Sequence, residues 1–219
     1  MRRPIPHSEL IRQLVGELRP VRPLRPPVVR AVGWLAAVFA LGATLFFAGG
    51  RASHAMSAMA DSSMIAAAAT ATLAAIAAFQ LSLPDRRDSW ILLPLPTLAM
   101  WAAVSGLGCL TIESDTASWG RTVGEAWQCF RFIVGISLPI SLLAFIMLRR
   151  ARPQRALRVS LLGGLASAAA AAVLLAIVHP HDSTALDLVA HAAALLVIVG
   201  VGSAAASRLI SRENKSAGV

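Results

Sequence analysis

The stretch L-R-V-S-L-L-G-G-L-A-S-A-A-A-A-A-V-L-L-A-I-V, Leu157–Val178, decides the fold class. After Arg158 it carries no charge as far as Val178, and its length meets the ~20 residues that an α-helix needs to cross a bilayer. A soluble helix would be interrupted by charge every few residues. Comparable runs lie on both sides of it, at Val28–Phe47, Met64–Leu83, Trp90–Leu110, Phe132–Leu148 and Leu186–Leu209. The expected fold is therefore all-α: a polytopic integral membrane protein with six transmembrane helices.

The whole composition agrees. Of 219 residues 57% are hydrophobic and 14% are charged, there is no Tyr, and Lys215 is the one lysine. The net charge of +9 comes almost wholly from arginine. Such an excess serves nucleic-acid binding when it gathers on one soluble face. Here the arginines stand in short stretches between apolar runs, as topogenic signals do, so no direct nucleic-acid contact is expected. The first apolar run starts behind a long polar segment and exceeds the usual signal-peptide core, so it reads as a retained helix.

Orientation follows from the positive residues. Of 20 Arg and Lys, all but Arg51, Arg121 and Arg131 fall in the N-terminal segment, the second loop, the fourth loop and the tail. Asp61, Glu113, Asp115, Glu125, Asp182 and Asp187 fall on the other side. Both termini are expected in the cytoplasm. The chain divides into residues 1–27, a helix and stalk; 28–209, the six-helix domain; and 210–219, a tail. Ala66–Ala69, Gly163–Gly164, Ala166–Ala172 and Gly200–Gly202 supply small side chains, which let helices approach closely in lipid. Pro94 and Pro96 open the third span, where the first turn tolerates proline, and Pro139 lies deeper in the fourth.

The N-terminal segment has its own pattern. Ser8 is placed as an N-cap with Glu9 in the first turn. Leu10, Ile11, Leu14, Val15 and Leu18 make one apolar stripe, with Arg12, Gln13 and Glu17 on the other side. The helix should end at Arg19, before Pro20. A helix this short is marginal alone in water, so its stripe needs a surface to bury against. Pro20, Pro23, Pro26 and Pro27 then favour an extended spacer on the order of 25 Å long, at about 3.1 Å per residue. Two occupants suit the stripe: membrane lipid, or the groove of a cytoplasmic protein.

The polar residues expected on the outer side form the second candidate site. Cys109 and Cys129, the two cysteines, fall near the outer ends of spans three and four, either as a disulfide or as two unpaired small side chains. His179, His181 and Asp182 cluster at the end of span five, and His191 lies inside span six. An ionisable residue within hydrocarbon is a functional candidate because burying it is costly. No phosphate-binding glycine loop, H-E-x-x-H or G-x-S-x-G occurs, so neither enzyme nor cofactor nor dedicated metal centre is expected.

Several segments resemble the NrsF family of membrane anti-sigma factors: R-P-V-R-P-L-R-P-P (Arg19–Pro27), L-S-L-P-D-R-R (Leu81–Arg87) and L-L-P-L-P-T-L-A-M-W (Leu92–Trp101). So do G-L-G-C-L (Gly106–Leu110), C-F-R-F-I-V-G-I-S-L-P (Cys129–Pro139), the Arg149–Arg158 loop and the spacing of His179, Asp182 and His191. The resemblance runs in order along nearly the whole chain. It implies a bacterial inner-membrane protein whose cytoplasmic helix holds an extracytoplasmic-function (ECF) sigma factor inactive until an envelope signal arrives. Leu10, Ile11, Leu14, Val15 and Leu18 would then be buried against that factor, with Arg12 and Glu17 at the rim. Similar proteins carry a cysteine directly after the histidine matching His179, and here Pro180 stands there. Either Cys109 partners Cys129, or His181 takes the thiol's place, or sensing differs. The rival class is a small transporter or channel whose cytoplasmic helix rests on lipid.

Overall fold

The computed structural model describes residues 7–17, 23–49, 61–111, 119–151 and 153–178, with scattered positions between 189 and 204. Among the described residues every regular element is helical: α1 (His7–Glu17), α2 (Pro27–Gly49), α3 (Ser62–Leu81), a 3-10 turn (Asp88–Leu92), α4 (Leu95–Thr111), α5 (Trp119–Arg149) and α6 (Ala156–Val178). Among the described residues five segments are long and apolar enough to cross a membrane: Pro27–Phe47, Ser62–Leu81, Asp88–Gly106, Phe130–Arg149 and Ala156–Ile177. The expected number was six. The sixth, Leu186–Leu209, lies mostly outside the described residues, which include a few helical positions of it such as Val189, Leu196 and Val201.

Local chemistry places the element ends. Pro27 opens α2, where its missing N–H is no loss, and the first helical bond runs from the Arg30 N–H to the Pro26 carbonyl at 3.2 Å. Asp61 caps α3 by accepting the Ser63 N–H at 3.0 Å. The third span is not the single helix expected over Trp90–Leu110. Pro94 ends the 3-10 turn, and its carbonyl starts α4 by accepting the Leu98 N–H at 2.9 Å and the Thr97 hydroxyl at 3.0 Å. Helix α5 begins at Trp119, well before the expected Phe132, and continues through Pro139. Hydropathy marks only its apolar part, whereas the helix also includes Arg121, Glu125 and Arg131. Helix α1 starts at His7, which puts Ser8 inside the first turn rather than at the cap.

The core is built on α3 and α6, which share the most extensive contact. Their buried faces are small: Ala66, Ala67, Ala71, Ala74 and Ala78 on one, and Ala166, Ala168, Ala169, Ala170 and Ala171 on the other. Side chains this short let two backbones approach and gain dispersion contact along their length. The buried hydroxyls of Thr70 and Ser167 donate to carbonyls one turn back, Ala66 at 2.8 Å and Gly163 at 2.9 Å, so neither needs a partner across the interface. Helix α5 packs on α6, α4 on α3, and α2 on both central helices. Trp34 of α2 is fully buried and donates its indole N–H to the Ile140 carbonyl of α5 at 3.1 Å. The outer helices expose large apolar side chains, among them Phe39, Phe47, Leu138, Leu142 and Ile146, an exterior suited to hydrocarbon.

Gly42 marks a close approach of α2 to α6. A Cβ there would stand 2.8 Å from Leu174 Cδ2, and Leu174 is itself buried. Gly135 of α5 is exposed and would meet nothing within 4 Å. Gly42→Ala is therefore expected to destabilise the purified protein by about 1–3 kcal/mol through overpacking. Gly135→Ala should be neutral or slightly stabilising, because alanine is the better helix former. Thermal unfolding of the two variants in detergent checks the difference in sign.

Candidate functional site

Helix α1 holds Leu10, Ile11, Arg12, Leu14, Val15 and Glu17, all on its backbone as expected; Leu18 lies outside the described residues. Ile11 and Val15, one turn apart on one face, are 60% and 59% exposed. Among the described residues helix α1 shares no extensive contact with the bundle helices. Both side chains therefore stand open to solvent. Arg12 pairs with Glu9, one turn earlier, at 3.2 Å, an exposed contact of small worth. After the helix, Pro23–Pro26 has no regular structure and is exposed.

The connection from this segment to the bundle runs through Arg30, a residue whose charge alone suggested a topological marker. It is only 7% exposed. Its guanidinium donates to the Ser82 hydroxyl at 3.3 Å and to the Met147 carbonyl, and it lies 5.1 Å from the centre of the Phe79 ring. Ser82 closes the C-terminus of α3, and Met147 belongs to the last turn of α5. Carbonyls in a last turn lack helical donors and carry partial negative charge, so a cation there is stabilising. Among the described residues no carboxylate pairs with Arg30. One side chain thus ties the start of α2 to the ends of α3 and α5. The signal in the sequence was its place, one turn inside an apolar run, where a charge must find partners.

A second arginine contact lies at the same end. Asp88 Oδ1 accepts from Arg155 at 2.7 Å and from Arg158 at 2.8 Å, joining the 3-10 turn to α6. Arg155 also donates to the Arg86 carbonyl at 2.8 Å.

The candidate sensing residues are only partly placed. Cys109 lies in the last turns of α4 and Cys129 within α5. His179, His181, Asp182 and His191 lie outside the described residues.

A family model described as NrsF, negative regulator of sigma F, matches residues 14–211. That match takes in the last four residues of α1, the stalk and every bundle helix. No curated protein and no solved structure matches the chain.

The Arg30 geometry carries its own expectation. Arg30→Leu leaves the Met147 carbonyl and the Ser82 hydroxyl short of a donor, and should lower stability by about 1–3 kcal/mol. Arg30→Lys should recover only part of this, because an ammonium is a point charge and cannot reproduce the planar fork. Thermal unfolding of both variants in detergent measures the gap.

Proposed function

Since the chain belongs to the NrsF family, negative regulators of sigma F, we propose that it is a membrane anti-sigma factor of the bacterial inner membrane with both termini in the cytoplasm. In this reading α1 sequesters a sigma factor of the extracytoplasmic-function type and keeps it from RNA polymerase. The open apolar face of α1 carries the proposal. A short amphipathic helix with exposed Ile11 and Val15, joined to the bundle by a proline-rich segment, suits insertion into a protein groove. Leu10, Leu14 and Leu18 would extend the buried contact, and Arg12 and Glu17 would lie at its rim. The regulator does its work by binding and release, with no catalytic step.

Release requires two packing states of the bundle that differ in affinity for the sigma factor. The proposed trigger is an envelope stress, redox or metal in nature, received at the outer ends of the spans. Cys109, Cys129, His179, His181, Asp182 and His191 are the residues assigned to that role, thiols and imidazoles being the side chains that answer to oxidant or metal.

A pull-down of the detergent-solubilised protein from its host, read by mass spectrometry, tests the binding half. The full chain should capture an ECF-type sigma factor, and a chain lacking residues 1–18 should not. The double substitution Ile11→Asp, Val15→Asp should abolish capture while leaving the unfolding temperature of the bundle unchanged. Retained capture would remove the apolar face from the mechanism. A transporter, the rival class, would keep its activity without residues 1–18. For the sensing half, Cys129→Ala or His181→Ala should alter the induction of sigma-dependent transcription by oxidant or metal. An intact response in both variants would exclude these residues as the sensor.

A further inference from the structure

Helix α5 is longer than the layer its apolar part would cross. Its 31 residues measure about 46 Å at 1.5 Å each, against a hydrocarbon thickness of about 30 Å. Held wholly within that layer it would tilt by roughly 50°, beyond the range of up to about 40° known for spanning helices. It would also carry Arg121, Glu125 and Arg131 into hydrocarbon, where charge is costly. One end of the helix must therefore emerge. The last turn is held in the bundle, where the Met147 carbonyl accepts from Arg30, so the emerging end is the first.

The exposed stripe of α5 marks where it emerges. Trp127, Gln128 and Arg131 are exposed, every exposed position from Gly135 to Ile146 is apolar, and Arg149 is exposed beyond them. Arg131 and Arg149 stand about 27 Å apart along the axis, close to the thickness of the hydrocarbon layer. Trp127 is 57% exposed and stacks on Phe130, with ring centres 5.5 Å apart. Among the described residues Arg131 has no ion-pair partner. An exposed indole one turn before an exposed, unpaired guanidinium suits the boundary between lipid and water. There the ring lies among the headgroups, and the cation meets phosphate oxygens.

We propose that residues 127–131 of α5 dock on the phospholipid headgroups of the membrane face away from the arginine-rich end. Residues 119–126 then stand in water beyond that face, as a helical arm of about 12 Å. The partner is the lipid surface itself, met by Trp127 and Arg131. Cys129 belongs to the docked turn, which places it at the boundary and not within hydrocarbon. The proposal rests on the membrane reading of the bundle and is independent of the sigma factor.

Electron paramagnetic resonance of single spin labels reads depth in bilayers of phosphatidylethanolamine and phosphatidylglycerol. Oxygen collects in hydrocarbon and a nickel chelate in water, so the ratio of their collisions with the label reports its depth. The full chain carries Cys109→Ser and Cys129→Ser, with one label at Gly124→Cys, Gln128→Cys or Leu142→Cys, all exposed positions. The label at 124 should favour the chelate, the label at 142 should favour oxygen, and the label at 128 should fall between them. Arg131→Leu should let lipid cover one more turn, moving the label at 128 inward by about 5.4 Å. A label at 124 that favours oxygen would put the arm in lipid and overturn the proposal. A label at 128 that Arg131→Leu leaves in place would remove the headgroup contact and overturn it too. A label at 142 that favours the chelate would take the whole bundle out of the membrane, and the membrane reading itself would fall.

Discussion

The close approach of α3 and α6 is the constraint on which the rest of the bundle depends. Two apolar helices in hydrocarbon have no hydrophobic reason to leave lipid for one another, so contact must come from backbone proximity and dispersion. The alanine faces of α3 and α6 supply that proximity, and their buried hydroxyls are satisfied within their own helices. With this pair in the centre, α2, α4 and α5 need only one packed face each. Their other faces keep Phe39, Leu138 and Leu142 outward. Gly42 belongs to the same logic, since it lets α2 settle against Leu174 without a Cβ in the way.

Polar contacts are concentrated at the arginine-rich end, and they act across helices. Arg30 links α2 to the ends of α3 and α5, while Asp88 links the 3-10 turn to α6. Together they involve five of the elements that form the bundle. The neutral contacts elsewhere, such as Ser63 with Ser105 at 3.2 Å, join single pairs. The segment that carries α1 enters the bundle within one turn of Arg30, beside the ends of α3 and α5.

How much was legible in the residues differs from element to element. The fifth span was expected at Leu157–Val178 and the helix is Ala156–Val178, because an uninterrupted apolar run leaves no other boundary. The fourth was placed from Phe132, although the helix starts at Trp119, because hydropathy reports solvent preference and not backbone conformation. The third was drawn as one helix, yet Pro94 splits it, since a proline removes a donor and fixes φ wherever it stands. The apolar stripe of α1 was readable from the spacing of its residues, and the fold leaves Ile11 and Val15 of it exposed. The outer histidines were readable as candidates only by type.

Composition and period alone determined that the chain is helical and apolar, and which end of each run is basic. These are properties of consecutive residues, and the bilayer length and the charge bias act on them directly. Tertiary structure alone decided that α3 and α6 are central, that Arg30 is buried against a carbonyl and a ring, and that Asp88 is shared by two arginines. Each of these depends on residues far apart in the chain, Arg30 with Met147 and Asp88 with Arg158, and nothing in their local sequence records which distant partner the packing will bring.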